Sequence, residues 1–431
     1  MRLFRHLPLA LLAVLAAPSI AQAADVPSAK TLYADGPSGR YLVDGQWLFR
    51  LDAADRGVRQ RLYRQSSTAG WSRVTVPNVW NVGDDSEASM RGSVGWYRKD
   101  FELPDKKAAL EWAMRFESVN YRSRVYLNGR EIGRNAGAYI PFTVRLKGLR
   151  KRGVNRLVVR VDSRRLPTDF PPSGLSSTGN ATGGWFNYGG IQREVYLQKL
   201  DTVQFNTVRV LPRLSCASCR AAVDFTLAME NVTGRSRSIS VIAKYGSKRI
   251  GLGTRTIRAG KAEVFSRRMA LGRARLWSPK SPYLYPVKIT VSSGGRTVGT
   301  YNLKSGVRAL KVSRGRLYLN GRPVNFRGVG VHEDNRTQGF AVDNAFRDRL
   351  VNEARAVGAG VLRTHDPMHP HVHELADRLG LLIWSEIPVY AVKTLYLRRE
   401  SVRALAAKEM RRNVETNLNH PSVMLWSVGN E

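Results

Sequence analysis

An amide and a carboxylate stand at the end of the chain, directly after an apolar run that is long enough to form a strand. Residues 423–428 are mostly apolar and rich in β-branched and aromatic side chains, and the run breaks at Gly429 into Asn430 and Glu431. An α/β barrel presents its catalytic acid at the C-terminal end of such a strand. Glu431 is therefore the candidate acid/base residue, with the Asn430 amide beside it.

Three earlier apolar segments also end in residues that transfer protons or hold polar ligands. Five of the seven histidines lie between His332 and His373. The polar residues that follow these three segments are His332-Glu333-Asp334, Arg363-Thr364-His365-Asp366 and Glu386. Because the C-terminal ends of neighbouring parallel strands meet at one face, the four polar ends are predicted to share one acid/base site. They do not indicate a substrate.

Alternation of strands and helices after about Leu310 would bring these ends together. Strands are predicted over residues 324–331, 360–362, 381–384 and 423–428, and helices over 343–357, 370–379 and 402–418. Pro370 suits a first helical turn and Gly380 suits a helix C-cap. Such alternation is typical of parallel βα units.

Two all-β regions precede these units. Short strands and turns, with Asn128-Gly129 as a type I′ hairpin signal, predict a jelly-roll β-sandwich over residues 30–200. About seven further strands over 201–308 predict an immunoglobulin-like β-sandwich. Residues 309–431 hold about four βα units, the N-terminal half of a TIM (β/α)8 barrel. The sequence therefore predicts a multidomain chain of two sandwiches and part of a barrel.

The N-terminus has the pattern of a secretory signal peptide. A basic start precedes an apolar stretch over residues 7–17, and Ala21-Gln22-Ala23 forms a small-residue cleavage site. We expect residues 1–23 to be removed and the mature protein to be periplasmic or secreted. The alternative is a membrane anchor, but the apolar stretch is short for a span. No membrane span is expected after cleavage.

The formal net charge of +35 does not by itself define a partner. Such an excess is typical of nucleic-acid binding, yet export argues against nucleic acid and the basic residues are spread along the whole chain. Two interpretations remain. The charge binds anionic glycans or an anionic cell surface, or it is only a solvated basic surface.

The two cysteines, Cys216 and Cys219, indicate a structural role. No further zinc ligands with suitable spacing lie near them, and the surrounding sequence lacks the βαβ context of redox enzymes. A local disulfide or a free pair is expected.

Six motifs follow one another in the order of a known family. They are Trp96-Tyr97-Arg98, Val125-Tyr126-Leu127-Asn128-Gly129, Gly189-Gly190-Ile191-Gln192-Arg193-Glu194-Val195, Leu276-Trp277-Ser278-Pro279, Leu319-Asn320-Gly321-Arg322-Pro323, and the segment from His420-Pro421 to Glu431. Over the whole mature chain, they resemble glycoside hydrolase family 2, which contains β-galactosidases, β-glucuronidases and β-mannosidases. The resemblance implies that the jelly roll binds sugar and that the barrel is catalytic.

The resemblance also implies roles for the strand-end residues. Glu431 aligns with the general acid/base of a retaining exo-β-glycosidase. Asn430 aligns with an amide that binds the substrate, and His332 and His365 align with two sugar-contacting histidines. Arg363 aligns with an arginine of the barrel interior and is grouped with the substrate-binding residues. It stands one place closer to the histidine than in many members.

Departures from the family pattern leave the sugar open and argue against a metal. Residues 387–390 lack the acid and the histidine that metal-dependent β-galactosidases carry there, and His369-Pro370 matches the family's pair at a helix start. Gly183-Gly184 occupies a loop where several members place a sugar-binding Asp. No metal and no cofactor are therefore expected, although four histidines are close in sequence: His365, His369, His371 and His373.

A second catalytic carboxylate is implied as well and is expected beyond residue 431. In the family the nucleophile is a Glu near the end of the seventh barrel strand. Neither Glu333 nor Glu386, which is expected to pair with Arg363, is a persuasive substitute. We expect the chain to be the N-terminal portion of a longer enzyme that acts on a carbohydrate β-glycoside. Alone, it is expected to be inactive on aryl β-glycosides.

Two other functions remain open. One is an exported protein that only binds carbohydrate and keeps a vestigial part of a barrel. The other is an exported protein that binds polyanions, which rests on the charge alone. A homo-oligomer is compatible with the sequence, and the sugar, aglycone and linkage are not predicted.

Overall fold

The structure of the chain is a computed structural model that describes residues 24–107, 110–172, 185–325 and 327–430. Residues 1–23, Gly183-Gly184 and Glu431, on which several predictions rest, lie outside the described residues. Two antiparallel β-sandwiches precede four parallel strands with their helices, as predicted. None of the described helices combines the length and apolar character that a membrane span requires.

The first sandwich packs a six-stranded antiparallel sheet against a four-stranded one. In spatial order the larger sheet consists of Arg130–Ala136, Arg122–Leu127, Asn155–Asp162, Val94–Phe101, Gln46–Leu51 and Ser72–Thr75. The smaller sheet consists of Phe142–Arg145, Glu111–Phe116, Val195–Leu200 and Arg40–Leu42. Side chains alternate between the two faces of each strand, so the inward set, including Trp47, Trp112 and Val125, forms one apolar core.

Short elements complete this domain. They are the small sheet of Asn78–Val79, Gly190–Ile191 and Val119–Asn120, the helix Glu87–Arg91 and the 3-10 turn Leu62–Arg64. The two glycines of the Gly189-Gly190 motif have a packing reason. A side chain at position 189 would collide with the Trp80 ring, and one at position 190 would collide with the Asn78 carbonyl.

The second sandwich has a five-stranded and a three-stranded sheet. The first consists of Gly36–Pro37, Arg296–Ser305, Tyr285–Ser293, Arg237–Tyr245 and Lys248–Ile257. The second consists of Val203–Arg213, Ala221–Asn231 and Ala262–Gly272, and a ribbon of Trp277–Ser278 with Ser281–Pro282 follows. Cys216 and Cys219 form a disulfide in the turn after the first of these three strands, with their Cα atoms 5.1 Å apart.

The last region places four parallel strands side by side in chain order. These barrel strands are Gly328–Gly330, Val361–Arg363, Leu382–Glu386 and Val423–Ser427. The helices are Asn344–Ala356, Pro370–Leu379, Thr394–Leu397 and Glu400–Asn417. Asp343 caps the first helix by accepting from the Phe346 amide, and Gly380, with φ of 75°, ends the second.

The predicted first barrel strand, residues 324–331, is longer than the observed one. Among the described residues of this range, Gly328–Gly330 alone pair in parallel. A small antiparallel sheet of Leu310–Ser313, Arg316–Leu319 and Arg322–Pro323 precedes them. Asn320 and Gly321 both have positive φ and form the turn that closes this sheet. The apolar run after the turn was therefore only partly barrel strand.

A buried ionic cluster joins the first sandwich to the barrel region. Arg193 Nη2 lies 3.0 Å from Glu333 Oε2, and Arg347 Nε donates to Glu333 Oε1 at 2.8 Å. The His369 amide donates to Glu333 Oε2 at 2.7 Å, and its ring Nε2 lies 2.9 Å from Glu194 Oε2. We call Arg193, Glu194, Glu333, Arg347 and His369 the seam. It holds the jelly roll against the barrel strands.

Candidate functional site

The parallel register brings Arg363 and the end of the fourth barrel strand together. Arg363 is the last residue of the second barrel strand, and its Nη2 donates to Glu386 Oε2 at 3.0 Å and to Asn430 Oδ1 at 2.8 Å. Its guanidinium carbon lies 5.1 Å from the Trp384 ring centre. One guanidinium group therefore ties together the ends of three neighbouring strands.

The two strand-end histidines lie at the same place. His365 Nδ1 is 3.0 Å from Glu386 Oε1, and the rings of His332 and His365 have centroids 5.5 Å apart. Glu386 is fully buried and each of its oxygens has a partner, so it positions Arg363 and His365. The structure thus brings together four of the five predicted site residues, His332, Arg363, His365 and Asn430. We call these four residues the strand-end edge.

Backbone contacts fix the approach to Asn430. Its amide donates to the Val389 carbonyl at 2.9 Å, so the end of the fourth strand is held against the loop after the third. A Cβ atom at Gly429 would lie 2.6 Å from that same carbonyl oxygen. Only glycine allows the two backbones to approach this closely, which explains the break in the apolar run.

Burial sets the protonation of the groups around this edge. It lowers the pKa of His332, against the opposing effect of the Asp334 carboxylate, so this imidazole is neutral at neutral pH. Burial also raises the pKa of Asp334, and it raises that of Asp366 to about 8. The charged form of Asp366 is therefore disfavoured at neutral pH, and the Arg363–Glu386 pair supplies the charges that contact Asn430.

Aromatic residues that the sequence analysis did not assign to the site also reach it. Tyr390, in the loop after the third barrel strand, has its ring centroid 6.0 Å from that of His365. Tyr188, from the jelly roll, interacts with Asp334. The Phe186 ring stacks on the Tyr188 ring, with the two ring centroids 5.7 Å apart. Phe186 is 44% exposed. The Trp185-Phe186-Asn187-Tyr188 run was the available signal, since exposed aromatics clustered in a loop often contact ligands.

The remaining histidines have other roles. His369 belongs to the seam, His371 Nε2 lies 2.7 Å from Asp348 Oδ1, and the buried His373 ring stacks on His420 at 5.1 Å. Within the described ranges, no three His, Cys, Asp or Glu side chains are grouped so that they could hold a metal ion. The histidines that are close in sequence therefore occupy several separate places in the fold.

This arrangement suits the binding of a polyhydroxylated ligand. Because Asn430 Oδ1 accepts from Arg363, the amide NH₂ is left to donate to a ligand. Neutral His332 is both a donor and an acceptor, which matches a sugar hydroxyl. Glu386 and Glu333 are both buried with engaged oxygens, so neither is poised to attack a substrate.

Family models match almost the whole chain after residue 40. The model for the glycosyl hydrolases family 2 sugar binding domain matches residues 41–201, the model described as glycosyl hydrolases family 2 matches residues 203–308, and the model for the family's TIM barrel domain matches residues 310–431. The three matches follow the order of the two sandwiches and the barrel strands.

Several curated proteins are similar over most of the chain. A putative β-glucuronidase of Formosa agariphila is 28% identical over 395 residues, which is 90% of this chain and 46% of that protein. Mouse β-glucuronidase is 26% identical over 420 residues, 90% of this chain and 63% of that protein. A β-galactosidase of Bacteroides ovatus is 26% identical and covers 84% of this chain. The chain spans between 43% and 63% of the lengths of these three relatives.

Solved structures have the same fold. A β-glucuronidase of Bacteroides uniformis superposes with a TM-score of 0.78 at 22% identity, covering 90% of this chain and 46% of that one. A β-glucuronidase of Ruminococcus gnavus in complex with D-glucuronic acid superposes with a TM-score of 0.76 at 24% identity, covering 94% and 69%. These likenesses establish the jelly-roll, immunoglobulin-like and partial TIM-barrel architecture.

Proposed function

The chain belongs to glycosyl hydrolase family 2, and from this premise we propose that it carries the acid/base half of a retaining exo-β-glycosidase active site. The observation that supports the proposal most directly is the pair of hydrogen bonds from Arg363 to Glu386 and Asn430. They organise the strand end that leads into Glu431. His332 and His365 lie at the same edge.

In the proposed reaction Glu431 acts twice. It first donates its proton to the glycosidic oxygen while a second carboxylate attacks the anomeric carbon, which releases the alcohol and leaves a covalent glycosyl-enzyme. The ionised Glu431 then takes a proton from water, and the resulting oxygen nucleophile displaces the enzyme carboxylate. We assign the nucleophile to a carboxylate other than Glu333 or Glu386, because both of those are buried and saturated.

The strand-end residues would bind the sugar. The Asn430 NH₂ donates to a ring hydroxyl, and Arg363 fixes the rotamer of that amide. The neutral His332 ring and the neighbouring His365 contact further hydroxyls. A hexopyranoside in β linkage is the proposed substrate class. A β-glucuronide is the first to test, since several similar proteins are named β-glucuronidases.

The test compares the wild-type protein that contains this chain with its Glu431→Gln variant on a panel of aryl β-glycosides. Loss of general acid catalysis is expected to cost about 10²–10⁴-fold for phenols that leave poorly. Dinitrophenol needs no proton to leave, so the glycosylation step should be impaired far less with a dinitrophenyl glycoside. An equal loss for both leaving groups would remove the acid role. Carbohydrate binding without any turnover would support the non-catalytic alternative.

Retention is tested separately by following the anomeric proton of the first-formed sugar. A β-glycoside should release the β-anomer before mutarotation, as a double displacement requires. First release of the α-anomer would replace the proposed mechanism by a single displacement.

We also propose export of the protein, with cleavage after Ala23. The support is the basic, apolar and small-residue order of residues 1–23. N-terminal sequencing of protein recovered outside the cytoplasm should begin at Ala24. An intact Met1 on the recovered protein would contradict the proposal.

A further inference from the structure

A groove on the jelly roll is lined by arginines and lies apart from the strand-end edge. It has a volume of about 490 Å³ and is bordered by Tyr63, Arg64, Arg130, Arg150 and Arg156, together with the Asn128-Gly129 turn. We call it the arginine groove. The turn has φ of 49° and 80°, which matches the type I′ hairpin that the sequence predicts. The proposed glycosidase reaction does not use this motif.

The groove carries positive charge that nearby acids do not balance. Arg156 pairs with Asp100, which also pairs with Arg98. In the described part of the chain, Arg64, Arg130 and Arg150 form no ion pair with a carboxylate. Arg64 and Arg150 donate only to carbonyl oxygens, those of Gly129 and Val154, each at 3.3 Å. All three of these arginines are exposed, so the groove presents guanidinium groups whose charge no carboxylate of the described residues pairs.

An aromatic wall adds an apolar surface to this charge. The Tyr63 ring stacks on Tyr126 at 4.5 Å with an interplanar angle of 14°, and Tyr126 stacks on the buried Trp96 at 5.9 Å. Tyr63 is half-buried and borders the groove. Its position is fixed by the stack beneath it, and the Arg64 guanidinium carbon lies 5.7 Å from its ring centre, so the ring and this guanidinium border the groove together.

The groove lies at the end of the sandwich that points away from the barrel. Tyr121 stands just before the strand Arg122–Leu127 and packs in one cluster with Phe340 of the barrel region. The Asn128-Gly129 turn follows the other end of the same strand. Six residues of extended chain span about 20 Å, so the groove is about that far from the barrel contact.

We propose that the arginine groove is a second carbohydrate site, which binds a linear oligosaccharide bearing uronic acid carboxylates. Guanidinium groups bind carboxylates through two parallel hydrogen bonds, and spaced arginines suit a chain with one carboxylate per sugar. The Tyr63 face packs against a sugar ring. The groove lies within the segment matched by the family's sugar binding domain model. Its role is to bind a polymeric substrate or product at a place distant from the strand-end edge.

The experiment measures binding of an oligogalacturonide to the whole chain by calorimetry. The test variant is Arg64→Ser with Arg130→Ser and Arg150→Ser. The matched control is Arg249→Ser with Arg258→Ser and Arg267→Ser, which removes the same charge from exposed positions of the second sandwich. The test variant should bind at least about tenfold more weakly, and the control should stay within about threefold of the wild type.

Two further arms make the result specific. The carboxyl-reduced form of the same oligosaccharide should bind at least about tenfold more weakly than the acidic form, because the ion pairs are lost. Arg130→Glu alone, at a side chain with no hydrogen bond or ion pair in the described structure, should weaken binding of the acidic form without changing the melting temperature.

Three results would overturn the proposal. They are equal loss in the test and control variants, equal affinity for the acidic and reduced oligosaccharides, and tighter binding of a single-stranded oligonucleotide that the test variant abolishes. In the protein that contains this chain, turnover of small aryl glycosides should be the same with the test variant and with the wild type. Because binding is read without turnover, a failure of the glycosidase proposal leaves this test intact.

Discussion

The strand-end edge and the seam contain the same kinds of residue but use them differently. The seam buries Arg193, Glu333 and Arg347 to between 1% and 2% exposure and gives both oxygens of Glu333 a partner. At the edge, Arg363 and His365 remain partly exposed although Glu386 beneath them is saturated. Residue type therefore does not distinguish a binding surface from a structural joint. The difference is that the edge side chains stay accessible to solvent while the buried carboxylate that holds them has all its hydrogen bonds.

The same contrast explains why the polar strand ends are not equivalent. His332 and Glu333 are adjacent in the chain, yet the imidazole belongs to the edge and the carboxylate belongs to the seam. Neighbouring residues of an extended segment point to opposite sides. One strand end therefore supplies both a group for the ligand and an anchor for the domain interface.

The largest expected effect is on the seam. Burial opposes ionisation of Glu333, but Arg193 and Arg347 outweigh it and hold its pKa below the usual range. Glu333→Gln leaves both guanidinium groups buried without the carboxylate that they pair with, and it should cost about 3–5 kcal/mol of unfolding free energy. Urea unfolding measures this. Asp348→Asn, at a half-exposed acid paired with His371, is the control and should cost less than about 1 kcal/mol. Equal costs would remove the distinction between buried joint and surface pair.

At the edge the effect should appear in activity instead. Arg363→Lys keeps the charge, but its shorter side chain does not reach the position of Nη2, from which both hydrogen bonds are made. The Asn430 amide then loses its fixed rotamer. We expect kcat/KM on an aryl β-glycoside to fall about 100-fold, or about 2.7 kcal/mol, while the urea midpoint changes little. Arg347→Lys in the seam is the matched comparison and should do the reverse. Full activity in Arg363→Lys would sink the positioning role.

The pH dependence of stability tests a buried His–Asp pair at the opposite end of the barrel strands from the strand-end edge. Burial alone would lower the pKa of His420, but the Asp377 carboxylate, 2.7 Å away, outweighs it and raises the pKa to about 9. The folded state binds this proton more tightly than the unfolded state. The resulting stability is present below pH 6.5 and is lost as the pH rises through 9. The loss should be about 3 kcal/mol, and His420→Gln should abolish that part of the pH dependence. Parallel pH curves for both proteins would contradict it.

The architecture could be predicted from the sequence because several independent local signals indicated the same fold. Strand–helix alternation, the Pro370 and Gly380 signals and the polar strand ends all indicated parallel βα units, and the observed strands begin and end within a few residues of the predictions. The first barrel strand was predicted too long because an apolar run does not show at which residue parallel pairing begins.

The site was harder to predict than the fold. The grouping of four residues could be predicted because each ends or follows a parallel strand, and strand ends are recognised from the local sequence. These residues are His332, Arg363, His365 and Asn430. The split of the histidines between edge and seam depends on which groups the jelly roll covers, through Arg193 and Glu194. The approach of Tyr188 to Asp334 likewise depends on how two domains pack. Spacing in the chain carries no such information.

The smallest expected effect is at Glu409, a buried carboxyl group whose oxygens receive no hydrogen bonds from the described domain contact. It lies on the helix Glu400–Asn417 with 3% exposure, and among the described residues neither carboxyl oxygen has a hydrogen-bond partner. Burial raises its pKa to about 8, against the opposing effect of Arg165 and Arg412, so folding at neutral pH requires a proton there. Glu409→Met keeps the length and removes that requirement. It should raise the unfolding free energy by about 1 kcal/mol at pH 7, and by more at pH 9, in urea unfolding. Glu333→Met in the saturated seam should do the opposite. Destabilisation by both substitutions would mean that burial alone, and not saturation by partners, governs these carboxylates.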